Sequence, residues 1–468
     1  MNAPKVADLL AMYLQAPGAF VLLISLVRCV QRHALGATFT VQTQVFNALS
    51  SWLAAGEIPA MSLLNSPLLP YAFQALASDD LFDSAVTAVC DLIHETQEVD
   101  ENMPVIEVIV PFVIALRPKL VDFKDDSEKI RGFARIFAEA GEAYRGLLLH
   151  HPETFFPIVE AIGECSAYPD LDIVPITFNF WMRLAQSIGK KSSVSPLFLD
   201  AYKALMGVII RHLHFPADIS TLTGQEAENF RSFRHVMGDT LKDCCCVLGT
   251  EQCLSAAYEL ITNGLARGPN VSWQEIEAPL FAMRSMGAEV DSNDDKAVPK
   301  IMDLIPSLPP HPRVRYAALL IISRYTEWIN KHPEYIPYQL QYISAGFEDS
   351  DQEVNAAAGQ ALKYLCQDCR RVRRPPPSSA TSLSRPGSQH LVEFLPQLHS
   401  FLASMGSKLA QDDKVQVYEA IAYVISAMPM EQAAQSLRTF SLDILGRVHG
   451  LAAKPTATKE ELVSITRT

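Results

Sequence analysis

The stretch Ser350-Asp351-Gln352-Glu353-Val354-Asn355-Ala356-Ala357-Ala358-Gly359-Gln360-Ala361-Leu362-Lys363-Tyr364-Leu365 decides how this chain folds. Val354, Ala357, Ala358, Ala361, Leu362 and Leu365 recur at three- and four-residue spacing, so on a helix they share one stripe. Glu353, Gln360 and Lys363 are left for the opposite face. Ser350 and Glu353 have the spacing of a capping box, in which the hydroxyl takes an orphan backbone N–H and the carboxylate answers back. A helix starting near Asp351 is the expectation.

The same pattern repeats outward in both directions. Ser272 and Glu275 set a second box; Phe82, Val86, Val89, Cys90 and Ile93 form another stripe. Val45, Leu49, Trp52 and Leu53 form a third, with Gly56 as its left-handed C-cap. Helix openings fall near Val41, Asp80, Ser127, Leu171, Glu226, Trp273, Arg313, Asp351 and Asp412. Most are roughly 38–47 residues apart, the spacing of HEAT or armadillo units. A second apolar helix fits between openings, as at 68–76 and 335–343. Two helices per period, neither able to bury its faces alone, predict an all-α HEAT/armadillo-like helix-pair solenoid of roughly ten pairs.

The interval from Asp351 to Asp412 breaks the period. It holds Arg370-Arg371-Val372-Arg373-Arg374-Pro375-Pro376-Pro377-Ser378-Ser379, then Ser382, Ser384, Arg385, Pro386 and Gly387, too polar and Pro-rich to pack. HEAT-like repeats are therefore expected over 41–371 and 390–450, with a disordered insert at 372–389 and a tail at 451–468. Two readings of the insert stay open: a basic nuclear-localisation patch or phosphorylatable linker, or a tolerated loop or retained non-coding sequence. Residues 1–40 fit the period poorly and fall under the same suspicion of misprediction.

Composition narrows the function. Of 468 residues, 49% are hydrophobic and only 19% charged, which excludes disorder for most of the chain. Lys and Arg total 39 against 52 Asp and Glu, a net charge of −13. That sign argues against a dedicated nucleic-acid binder and favours a basic protein partner. The nine cysteines are scattered through apolar stretches, as buried thiols of a reducing compartment are. The apolar run at 19–27 is about half of what a membrane span needs. A soluble intracellular chain is expected, with Asn270-Val271-Ser272 silent as a glycosylation site.

Tests for chemistry return little. Gly189-Lys190-Lys191-Ser192 lacks the earlier glycine of a phosphate loop. Cys366 and Cys369 have metal-like spacing without a second pair nearby, and Cys244, Cys245 and Cys246 point three ways around a helix. His150-His151 and His212-x-His214 fall at helix ends, where a solvated or satisfied ring is the simpler reading. The acid runs at 122–126 and 348–351 read as helix N-terminal charges. No catalytic residue, metal or cofactor is assigned, and what remains is surface for binding.

Specific segments then resemble a known family. Val45-Phe46-Asn47-Ala48-Leu49-Ser50-Ser51-Trp52-Leu53 with Gly56-Glu57-Ile58-Pro59 and Ser66-Pro67-Leu68-Leu69 is similar to a central repeat of transportin-SR, the transportin-three and importin-thirteen branch of the karyopherin-β (importin-β) receptors. So are Ile176-Thr177-Phe178-Asn179-Phe180-Trp181-Met182-Arg183-Leu184, Phe230-Arg231-Ser232-Phe233-Arg234-His235-Val236-Met237 and Asp239-Thr240-Leu241-Lys242-Asp243. Val314-Arg315-Tyr316 and Ala357-Ala358-Gly359-Gln360-Ala361-Leu362 continue the series.

The resemblance implies a nuclear transport receptor, not an enzyme. It would bind basic or Arg/Ser-rich cargo, touch Phe-Gly nucleoporins, release cargo to Ran-GTP and shuttle between nucleus and cytoplasm, without direct nucleic-acid or membrane binding. Family members are longer. The N-terminal repeats of the principal Ran contact and the C-terminal arginine-rich helix that reads phosphoserines are expected to be missing here, and the Pro run excludes Arg370 to Arg374 as that helix. Asp218, Glu226, Glu228, Phe230, Arg231 and Arg234 are the expected partner-binding set, because acidic inter-helix loops contact Ran or basic cargo in this family; the other reading of the same stretch is helix N-terminal acids ahead of a core pair, Phe230 and Phe233. The alternative is a generic HEAT-repeat scaffold or regulatory subunit without Ran affinity.

Overall fold

A computed structural model describes residues 39–56, 58–189, 193–370, 387–405, 409–453 and 459. The chain divides into two compact units, Met1–Ile209 and Ile210–Thr468. Every regular element described is helical, and the helices alternate in pairs. The odd members are α1 (Phe39–Ala54), α3 (Phe82–His94), α5 (Ser127–Ala143), α7 (Phe178–Ile188), α9 (Gly224–Leu248), α11 (Trp273–Met286), α13 (Pro312–Arg324), α15 (Gln352–Cys369) and α17 (Gln411–Ser426). Eight of the nine open within two residues of a position predicted from the repeat spacing; α7 opens at Phe178, seven residues after Leu171, because a 3-10 turn over Val174–Thr177 precedes it. The even members are α2 (Leu68–Ala75), α4 (Val99–Ala115), α6 (Pro152–Ser166), α8 (Pro196–His212), α10 (Thr250–Ala266), α12 (Val298–Leu304), α14 (Ile336–Phe347), α16 (Gly387–Met405) and α18 (Met430–Ala452). This is the expected all-α helix-pair repeat fold.

Within each unit the odd helices stack on one another in chain order. The predicted stripe of α15 is buried from Val354 to Leu365, and α13 buries Val314 and an unbroken run from Ala317 to Ile322. Each large apolar side chain so buried contributes about 1.5–3 kcal/mol. Close approach of α3 and α5 depends on Gly132, where a Cβ would come within 2.5 Å of the Phe82 ring. Gly56 ends the α1 segment at φ +68°, the left-handed conformation expected of it.

Polar rungs join successive odd helices. Ser50 donates to Asp91 between α1 and α3, His94 Nδ1 lies 2.9 Å from Glu139 between α3 and α5, and Asn179 donates to Glu142 between α5 and α7. In the second unit Arg234 pairs with Glu277, the Tyr325 hydroxyl donates to the Met283 carbonyl at 2.8 Å, Arg313 pairs with Glu353, and Lys363 pairs with Glu419. Partners sit about one repeat apart in sequence, so the period seen in apolar residues is repeated in polar ones.

Several expectations change. The cap of α15 is Asp351, whose Oδ1 accepts from the Glu353 N–H at 2.8 Å, not the Ser350 and Glu353 box. The helix begins at Gln352, which puts Glu353 too early to reach back, and its carboxylate turns to Arg313. The box of Ser272 and Glu275 stands as expected. Of the insert expected at 372–389, residues 372–386 lie outside the described residues, and 387–389 already open α16. Residues 1–38 and Lys190 to Ser192 also lie outside them, and α18 runs into the expected tail as far as Ala452.

Candidate protein-binding face

The long helix α9 starts from a loop of committed acids. Asp218 Oδ1 accepts from the Ser220 N–H at 2.9 Å and its hydroxyl at 2.6 Å, which holds the carboxyl below its usual range. Glu226 accepts from the Thr223 N–H and hydroxyl, both at 2.8 Å, while its own N–H donates to Thr223 Oγ1. This capping box, which the sequence reading did not single out, keeps the Glu226 carboxyl low as well. Glu228 is exposed and lies 3.7 Å from Arg231, one turn on. Arg231 is exposed too, and also reaches Glu353 of α15 at 3.4 Å.

Two members of the expected set are not surface residues. Phe230 is buried, edge-on to Phe215 with ring centroids 5.3 Å apart. Arg234 is buried with its guanidinium carbon 4.3 Å from the Phe215 ring centre and 4.1 Å from that of Phe281. Its Nη2 donates to both oxygens of Glu277 on α11. The helical period turns both inward, toward α11, while Glu228 and Arg231 face out. Burial pushes the Glu277 carboxyl up against the opposing pull of Arg234 and Arg313.

Beside this pair the helices leave a groove of about 690 Å³ whose lining comes from α9, α11, α13, α15 and the short helix Thr326–Lys331 that follows α13. His235, Lys242, Arg284 and Arg324 line it together with Glu327 and Tyr364. Arg284 and Arg324 fall one repeat apart at matching places on α11 and α13, a register that the helix spacing could have flagged. A smaller cavity of about 200 Å³ next to it is lined by Arg231, Arg313 and Glu353.

The geometry suits recognition. No group of His, Cys, Asp and Glu able to hold a metal occurs among the described residues. Their cysteines form no disulfide, and burial pushes the Cys90, Cys165 and Cys366 thiols up to about 12, far from a reactive thiolate. No described helix is long and apolar enough to cross a membrane.

The family model for the Transportin-3/Importin-13 second TPR domain matches residues 125–212, and that for the third matches 295–373. The chain belongs to the transportin-3/importin-13 branch of the karyopherin-β family. A model for Exportin 1-like protein matches residues 2–89, which takes in both the poorly fitting first forty residues and the Val45 to Leu69 segments. The branch-like segments at 176–184, 314–316 and 357–362 fall inside the two transportin/importin models, and 230–243 lies between them. Curated relatives match most of the chain. An uncharacterised protein of Schizosaccharomyces pombe is 37% identical over 90% of this chain and 44% of its own length. The mRNA transport regulator MTR10 of Saccharomyces cerevisiae is 30% identical over 87% of this chain and 42% of its own. The solved structure of importin-13 in its cytosolic state shares the fold, with a TM-score of 0.75 at 17% identity, covering 99% of this chain and 55% of that one. The chain thus spans less than half the length of the curated relatives it matches.

Proposed function

We propose that the chain acts as a nuclear transport receptor that binds basic or Arg/Ser-rich protein cargo and yields it under Ran-GTP control, passing the pore by contacts with Phe-Gly nucleoporins and shuttling between nucleus and cytoplasm. The observation that carries this reading is the ordered series of branch-specific repeats, shared over most of the chain with a relative named as an mRNA transport regulator. Stacked repeats are built to bind: each contacts its neighbours through its core and leaves its outer residues free for a partner.

Charge gives the sign of the partner. A net charge of −13 draws basic segments in by long-range attraction. Asp218, Glu226 and Glu228 put exposed carboxylates at the start of α9, two of them held ionised by their own caps, so they stay charged in mildly acidic conditions. Arg231 would orient a partner's acid beside them, while Phe230 and Arg234 support the helix from beneath.

The test is capture of an Arg/Ser-rich peptide, phosphorylated or unmodified, by the purified chain with and without GTP-loaded Ran. Capture abolished by Ran-GTP supports the reading, and reversal of Asp218, Glu226 and Glu228 to Lys should weaken it by about tenfold at low salt. If neither this chain nor a version extended at both ends captures either peptide, the transport reading fails.

A further inference from the structure

We propose that the groove crossed by α9, α11 and α13 binds an acidic peptide segment of a partner protein, whose carboxylates pair with Arg284 and Arg324. This does not depend on the transport reading, and its sign is opposite to that of the chain as a whole. Neither Arg284 nor Arg324 makes an ion pair with a described residue, although both line the groove. Other cations are committed: Arg234 to Glu277, Arg313 to Glu353, and Lys242 to Asp239 at 2.8 Å.

The acids of the lining, Asp239, Glu327 and Asp368, equal Lys242, Arg284 and Arg324 in number, but none of them forms an ion pair with Arg284 or Arg324. Asp239 holds Lys242, and Asp368 accepts from the Thr326 hydroxyl. Glu327 is exposed and forms no ion pair with Arg324, one turn away. Arg284, half-buried, therefore lines the groove without an ion-pair partner. Burial, with Arg234 and Arg324 nearby, disfavours its charged form more than Tyr316 and Glu277 favour it, and burial with Arg284 and Arg234 outweighs Asp239 and Glu228 at His235 in the same way. A carboxylate placed there would relieve like-charge repulsion while making charge-assisted hydrogen bonds to a guanidinium.

The backbone keeps Arg324 in place. Gly287, directly after α11, lies against its stem, and a Cβ there would come within 2.6 Å of Arg324 Cγ. The glycine lets an arginine from α13 lie across the end of α11. The groove is far larger than a single small anion and has an exposed aromatic, Tyr364 of α15, on its wall, as a peptide segment requires.

Anisotropy of a short fluorescein-labelled peptide of alternating Glu and Ser, titrated with the full chain at low salt, tests this. Saturable binding is expected, while the same peptide with Gln for Glu stays unbound. Arg324→Gln, at an exposed position that folding should not feel, lowers affinity by about tenfold, as does Arg284→Gln. Gly287→Ala lowers it several-fold by displacing Arg324. Arg117→Gln, at a half-exposed arginine outside the groove that is paired with Glu160 and Glu164, leaves it unchanged. Because the chain carries a charge of −13, a nonspecific acidic peptide is repelled, so binding must be local. Equal binding of the Gln peptide, or an equal loss with Arg117→Gln, overturns the inference. So does inorganic phosphate that binds the chain more tightly than the peptide does, since that marks a small-anion site instead.

Discussion

Arg234 on α9 and Glu277 on α11 form an ion pair buried between two phenylalanine rings, with one guanidinium nitrogen 2.9 and 2.6 Å from the two carboxylate oxygens. The two side chains are 5% and 4% exposed, so the pair is removed from water and each partner depends on the other. Glu277→Ala should destabilise the second unit by about 3–5 kcal/mol because it strands a buried guanidinium. Replacing both, Arg234→Met with Glu277→Leu, should recover most of that loss. Urea unfolding of the single and double variants measures the coupling, and additive losses would show that the pair is not a unit.

Two glycines in helix interiors should respond oppositely to alanine. At Gly132 a Cβ meets the Phe82 ring at 2.5 Å and Val86 at 2.9 Å, both buried, so Gly132→Ala should cost about 1–3 kcal/mol by overpacking. At Gly163 in α6 nothing lies within 4 Å, so Gly163→Ala should stabilise by about 0.5–1 kcal/mol through helix propensity. Thermal melts of both variants decide; a shift of the same sign in both would contradict the close packing of α3 on α5.

The caps of α9 and α11 give a pH dependence of known sign. Thr223 holds the Glu226 carboxyl low, and Arg267, then Ser272, hold that of Glu275 low. An unfolded chain therefore takes up protons at a pH where the folded caps still refuse them. Their stabilisation is complete above the ordinary glutamate range and is lost as pH falls through the depressed folded values. A carboxyl-carbon titration by NMR should place both midpoints below that of a glutamate peptide, and Arg267→Gln should move only Glu275 upward. Midpoints at the peptide value would rule the caps out.

The last helix shows an apolar face. Met430 is 88% exposed, with Leu437, Leu442 and Leu445 also largely exposed on α18. A face of this kind drives association in water, so the chain should self-associate as its concentration rises. Sedimentation velocity should show this, and Leu437→Glu with Leu442→Glu should restore a monomer. A monodisperse monomer without the substitutions would refute it.

The amino-acid sequence by itself determined the repeat. Apolar residues at helical spacing, restarted at regular intervals by caps such as Ser272 and Glu275, are local properties, and local properties are legible one residue at a time. It also determined that Gly56 would take a left-handed conformation and that the triple Cys244 to Cys246 would diverge; that Cys246 is the exposed one is a matter of packing. Which charges are available to a partner was a different kind of question. Phe230 and Arg234 read as part of an accessible cluster, yet the packing of α9 on α11 buries both and commits Arg234 to a carboxylate some forty residues away. Glu353, which reads as half of a cap, is taken by arginines from two other helices. Arg284 and Arg324 share a one-repeat register in the chain, but they become a pair lining one groove only when α11 and α13 lie side by side. Only the tertiary structure decides such matters, because an ion pair or its absence depends on which helices become neighbours, and desolvation depends on everything that surrounds the charge.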